Sequence, residues 1–185
     1  MSRQGWMEQL ATVVADGTAY ASSTTETGIF TDFTIPANYL ADGRTLRIWA
    51  LGKHSTTGTP TLAFGIRLGG VGGTNICKTG TITCGSGVTN ALWEIEVLLT
   101  VRTNGSSGTI MGNGHATVYG GTAPTVGSAT GAPGSSPMTN GGQTAPATAT
   151  VNLTADQALT ITATWGTNSA SNTLTGQQMT IQSLN

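Results

Sequence analysis

The sequence predicts an all-β protein, an antiparallel β-sandwich whose expected form is a jelly roll. Three observations carry that expectation. Four long runs alternate apolar and polar residues with a period of two, the mark of strands with one buried face. Turn dipeptides that tolerate positive φ, Asp16-Gly17, Asp42-Gly43 and Asn104-Gly105, punctuate the chain. No stretch long enough for a stable helix has a convincing helical period. Many short strands separated by such turns describe a sandwich or a barrel.

In chain order, residues 1–15 are an N-terminal arm or first strand, and 16–185 are a single sandwich domain. The one helical signal is a turn near Trp6 to Leu10. Weaker strands are expected at 10–16, 18–22 and 28–35. Residues 44–53, RTLRIWALGK, place Leu46, Ile48 and Ala50 on one face and Arg47, Trp49 and Lys53 on the other. Residues 60–68 align Leu62, Phe64, Ile66 and Leu68, with Arg67 opposite. After a weaker strand at 74–84, residues 91–102 set Trp93, Ile95, Val97, Leu99 and Val101 in an inward row, with Glu94, Glu96 and Arg102 facing away. Weaker strands follow at 108–119 and 147–153. In 157–166, Leu159, Ile161, Ala163 and Trp165 alternate with threonines, and a last strand is expected at 177–184.

One segment breaks the pattern. Residues 120–146, GGTAPTVGSATGAPGSSPMTNGGQTAP, contain almost nothing to bury. An insertion of this length is either a mobile surface loop or an arm that orders against a neighbour.

Composition narrows the function classes. Only 8% of the 185 residues are charged and the formal net charge is −1, against about 25% charged residues in ordinary globular proteins. No basic stripe exists to release counterions from phosphates, so nucleic acid is excluded as a partner. The start, MSRQGWMEQLATVV, lacks the apolar core of a signal peptide, and no run is long and apolar enough to span a membrane. The expectation is a soluble protein made in a cytosol. A surface of threonine, serine and glycine is cheap to desolvate, which favours oligomerisation.

Reactive constellations are scarce. His54 and His115 have no second histidine or cysteine at metal-ligand spacing, and each is expected at solvent or on a sheet face. No Gly-x-Ser-x-Gly elbow places a nucleophile, and GGVGGTN at 69–75 lacks the lysine and helix of a phosphate cradle. Cys77 and Cys84 could face each other if 78–83 formed a hairpin; otherwise they are two reduced thiols. Glu94 and Glu96 share a face about 7 Å apart, within the range of paired glycosidase carboxylates. The structural reading pairs them instead with Arg47, Arg67 or Arg102 across strands or at a subunit contact. Trp93 and Trp165 read as core. Trp49, beside Arg47, could stack on a sugar or be covered by another subunit. Trp6, with Met7 and Leu10, could dock on another chain. No metal, cofactor or catalytic set emerges, and the sheet itself reads as a scaffold.

The stretches RTLRIWALGKHSTTGTPTLAFGIRLGG, LWEIEVLLTVRTNGSSGTIMGNGHATVYG and LTITATWGTNSASNTLTGQQMTIQSLN together resemble tailed-bacteriophage virion proteins. The likeness spans roughly 44–119 and 158–184 and rests on strand and turn residues, with no reactive residue in the pattern. It implies a jelly-roll head-decoration (cement) protein, a homotrimer that binds the major capsid protein or another virion protein. The alternatives are a tail or fibre component, or a carbohydrate- or receptor-binding module. The expected contact residues are Trp6, Met7, Leu10, Arg47, Trp49, Arg67, Glu94, Glu96 and Arg102, with the N-terminal segment and 120–146 as arms.

Overall fold

The computed structural model describes residues 7–120, 134–142 and 145–184. Its strands are β1 (Glu8–Thr12), β2 (Thr27–Gly28), β3 (Phe33–Ile35), β4 (Thr45–Ser55), β5 (Thr61–Leu68), β6 (Thr74–Lys78), β7 (Ile82–Thr83), β8 (Ala91–Thr103), β9 (Gly108–Val118), β10 (Gly134–Met138), β11 (Thr148–Val151), β12 (Gln157–Trp165) and β13 (Thr173–Ser183). They form two antiparallel sheets. The larger runs β1-β13-β4-β8-β9-β10, with β11 also on β9; the smaller runs β2-β12-β5-β6, with β3 on β12 and β7 on β5. With β9 to β11 set aside, β1-β13-β4-β8 faces β2/β3-β12-β5-β6/β7. Early strands pair with late ones in both sheets, an order compatible with the expected jelly roll.

The period-two rows are the inner faces. Leu46, Ile48 and Ala50 on β4, Trp93 to Val101 on β8, Leu62 to Leu68 on β5 and Leu159 to Trp165 on β12 are all buried. One spot interrupts the rows. Gly52 and Gly176 pair across β4 and β13 where two inward side chains would otherwise stand. Trp93, the cross-strand partner of Gly52 on the other side, lies over this gap. A Cβ on Gly52 would collide with the Thr175 carbonyl and come within 2.9 Å of the indole, while one on Gly176 would strike the Phe30 ring. Phe64 reaches across from the smaller sheet, its centroid 5.2 Å from that of Trp93, and Phe30 packs at 6.2 Å. The indole N–H donates to the Thr175 carbonyl at 3.2 Å, so the buried polar atom is satisfied.

Several expected boundaries shift. The first strand is Glu8–Thr12 rather than 10–16, and it takes in part of the stretch read as a helical turn, because its edge pairs with β13. In place of a strand at 18–22 there is one bridge, Tyr20 to Leu174. The 28–35 stretch divides into β2 and β3, which pair with different parts of β12. The 74–84 stretch divides as well: β6 and β7 both pair with β5, so no hairpin joins them. Cys77 lies opposite Ile66, while the Cys84 N–H donates to Pro60. That separation along β5 is roughly 20 Å, far beyond disulfide reach, and both thiols are free and buried.

The 120–146 stretch differs most from expectation. Residues 121–133 and 143–144 lie outside the described residues, but 134–138 form β10 on the edge of β9. Ser136 and Met138 are buried. Pro137 costs the ladder nothing at an edge. Thr139 then bridges Lys78 of β6, so this piece joins the two sheets along one side. It belongs to the domain's own core. Gly43 and Gly105 take the positive φ expected of their turns, +78° and +102°, whereas Gly17 does not and instead bonds the Gly176 carbonyl.

The Gly52 contact gives a direct test. Gly52→Ala is expected to lower unfolding stability by about 3 kcal/mol, because backbone and indole must both move to admit one methyl; the chemical-denaturation midpoint measures it.

Candidate interaction surface

The outward positions of the larger sheet bring together four of the expected contact residues, Arg47, Trp49, Glu94 and Glu96. On β4 the outward residues are Arg47, Trp49, Leu51 and Lys53; on β8 they are Leu92, Glu94, Glu96 and Leu98. Trp49 is 48% exposed, Leu98 47% and Leu92 42%, an unusual display for large apolar side chains. Trp49 stands opposite Glu96, and Arg47 opposite Leu98, so Trp49 and Leu98 are diagonal neighbours.

The charges on this face have partners within the chain. Arg47 donates through Nε and Nη2 to Glu96 Oε1 at 3.0 and 2.6 Å. Lys53 Nζ lies 3.2 Å from Asp16 Oδ2. Hydrogen bonds from Gln177 and then Lys53 hold the Asp16 carboxyl below its ordinary pKa. Tyr119 donates its hydroxyl to Glu94 at 3.0 Å, which raises the phenol's pKa. Exposed pairs of this kind add little stability, about 0–1 kcal/mol each. Their importance lies elsewhere: the Arg47–Glu96 pair lets a partner cover those two side chains without stranding either charge, and Glu94 keeps a hydrogen-bond donor in Tyr119.

The other expected residues disperse. Trp6 lies outside the described residues. Met7 is 69% exposed just before β1, whereas Leu10 packs on the chain's own core. Arg102 is the extra residue of a bulge between Val101 and Thr103, exposed at the end of β8. Arg67 is not on this face. It points outward from the smaller sheet, where it forms a two-pronged pair with Glu26 at 2.7 Å on both arms. Arg67 also donates to the Gly73 carbonyl, and Thr162 donates to Glu26 Oε1 at 2.6 Å. The Arg67 guanidinium lowers the Glu26 pKa, and Glu26 raises that of Arg67. Of the three arginines considered for Glu94 and Glu96, only Arg47 meets either of them, through Glu96.

Sequence reasoning passed over Leu92 and Leu98, although they share the parity of Glu94 and Glu96 and so had to face outward. Glu26 gave no such signal. It lies in an irregular stretch, and its partner is 41 residues away.

Neither cysteine is poised for chemistry. Burial pushes both thiols up, Cys84 to about 11, so neither is a thiolate at neutral pH. Among the described residues no group of three or more His, Cys, Asp or Glu side chains could hold a metal ion. His115 is exposed on β9, as expected. His54 corrects its expectation: it is buried, because it continues the inward row of Leu46, Ile48, Ala50 and Gly52 on β4. Its Nδ1 lies 3.1 Å from the Ala91 carbonyl, which can only accept, so Nδ1 carries the proton. Nε2 is left without a hydrogen-bond partner among the described residues.

Comparison with protein-family models, curated proteins and solved structures finds no match to this chain.

Burial holds the His54 pKa below its ordinary 6.5, opposed only by the Ala91 bond. The unfolded chain therefore binds a proton that the folded chain refuses. Stability is full above pH 6.5 and falls as the pH drops below it, by at most about 1.4 kcal/mol per pH unit from this group. Thermal melts across that range should show the decline in the parent protein. In His54→Asn, which keeps a donor toward Ala91 and cannot titrate, that limb should be flat.

Proposed function

We propose that this chain is a non-enzymatic structural protein of a tailed-bacteriophage virion, a head-decoration protein that acts as a homotrimer on the assembled capsid. The likeness of its strand and turn residues to such proteins supports the virion reading. One observation carries the subunit-contact reading: Leu92 and Leu98 stand exposed on a broad sheet face whose neighbouring charges, Arg47, Glu94 and Glu96, already have partners in the chain.

The mechanism follows from that face. Apolar area leaving water drives association at about 25 cal/mol per Å², and the Arg47–Glu96 pair and the Tyr119 bond to Glu94 lower the cost of covering the charges beside the leucines. A protein that binds only the assembled shell stabilises it by mass action. The fold has no need of a cleft for this role, because sheet faces and edges are the working surfaces. A tail or fibre component would use the same surface against a different virion neighbour.

Light scattering coupled to size exclusion should give three times the chain mass for the parent protein. Leu98→Glu, at an exposed position, should give a folded monomer. Decorated heads should resist heat better than undecorated heads of the same phage; a stable monomer with no effect on heads would count decisively against this function.

A further inference from the structure

The other half of the same face, toward β13 and β1, has a different character. Thr12, Thr180 and Trp49 lie in one cross-strand row over β1, β13 and β4. Gln178 and Leu51 lie opposite each other in the next row. A groove of about 260 Å³ opens along these residues, with no charged side chain in its lining. It continues past Leu51 and Gln178 into a second depression of about 380 Å³ that ends at Asp16. The trough exists because the chain leaves the sheet edge after β1. Val13 bonds Met179 and Gly17 bonds Gly176, and between them the chain meets the β13 bulge through the side chains of Asp16 and Gln177.

Gln9 donates to the Thr12 hydroxyl, but three other polar groups along the first groove are uncommitted. Among the described residues no hydrogen bond engages the Trp49 indole N–H, the Gln178 carboxamide or the Thr180 hydroxyl. The far end is polar and already organised, with Asp16 held by Gln177 and Lys53. A half-exposed indole offers a flat apolar face and one donor. A carboxamide offers two donors and an acceptor, and a hydroxyl offers one donor and two lone pairs. The ligand that matches such a set has an apolar face rimmed by hydroxyl groups and no net charge.

We propose that this trough is a binding site for a neutral oligosaccharide. One sugar ring stacks on Trp49, its hydroxyls bonded to Gln178 and Thr180, and the chain runs on over Leu51 toward Asp16. The length from Trp49 to Lys53 along β4 is about 13 Å, room for two or three sugar residues. The groove at Trp49 is smaller than the sites that hold drug-sized ligands, about 300–1,000 Å³, and suits a single ring. The site goes beyond the virion reading and does not depend on it: the leucines assigned to subunit contact lie on the β8 side of Trp49, and the trough lies on the β13 side.

The test is a fluorescence titration with maltotriose, cellotriose and triacetylchitotriose, with trigalacturonate as the acidic counterpart. The reporter protein carries Trp6→Phe, and Trp93 and Trp165 are buried, so a saturable change at exposed indole wavelengths reads Trp49. At least one neutral trisaccharide should saturate the signal and trigalacturonate should not. Tritium-labelled ligand in equilibrium dialysis extends the measurement to variants without the reporter. There Trp49→Ala should abolish binding, Gln178→Ala should weaken it about tenfold, the loss of one or two hydrogen bonds, and Leu98→Glu should leave it unchanged. Absence of saturation by all three neutral sugars, equal binding of trigalacturonate, or binding that survives Trp49→Ala would each overturn the proposal. Because Leu98→Glu removes the subunit contact and Trp49→Ala the sugar contact, failure of one reading is distinguishable from failure of the other.

Discussion

The seat of Trp93 over Gly52 is the contact on which the rest of the sandwich depends. Two facing sheets need something large to fill the space between them, and an indole supplies more buried area than any aliphatic side chain here. It can lie flat only where its cross-strand neighbour has no side chain, and Gly52 and Gly176 together clear that place. Phe64 from the smaller sheet and Phe30 from the β2–β3 connection close around the ring. The indole N–H ties the cluster to the backbone of β13. Both sheets, and the connection that covers one edge, are therefore referenced to one side chain.

With the inner faces committed in this way, function is left to the outer faces, and the two differ in kind. The smaller sheet turns outward glycine, threonine and the Arg67–Glu26 pair, which Thr162 and Gly73 complete. The charges at the centre of that surface are held by hydrogen bonds of its own. The larger sheet turns outward a tryptophan and two leucines among charged side chains that already have hydrogen-bond partners in the chain. Desolvation is the usual cost of covering a polar sheet, and here much of it has already been met inside the chain. A surface built in this way accepts a neighbour readily without depending on that neighbour for its own fold.

Much of this was legible in the sequence because alternation and burial are the same physical fact in a strand. Leu46, Ile48 and Ala50, the row from Trp93 to Val101, and the row from Leu159 to Trp165 all lie where their period put them. The same rule put Trp49 outside. What alternation cannot reveal is a strand made by its partner. Residues 134–138, GSSPM, have no apolar period, yet they pair with the open edge of β9 and bury Ser136 and Met138. His54 is a different case: it keeps the inward parity of Leu46, Ile48 and Ala50, and only its polar side chain argued for the outside. Glu26 and Arg67 meet through a fold that sequence spacing does not encode.

The order of the strands also bears on when this protein can fold. β13 lies between β1 and β4 in the larger sheet, and β12 lies between β2/β3 and β5 in the smaller one. Residues 157–183 are thus central strands of both sheets, and neither sheet is continuous until they arrive. During synthesis everything from β1 to β11 must wait on the ribosome with open edges, and closing the sandwich requires contacts between distant parts of the chain, a topology that folds slowly. Through that interval the low charge that makes the finished surface easy to cover offers little protection against association with the wrong neighbour. This chain therefore depends on β12 and β13, made after the eleven strands they join, to complete both layers of its core.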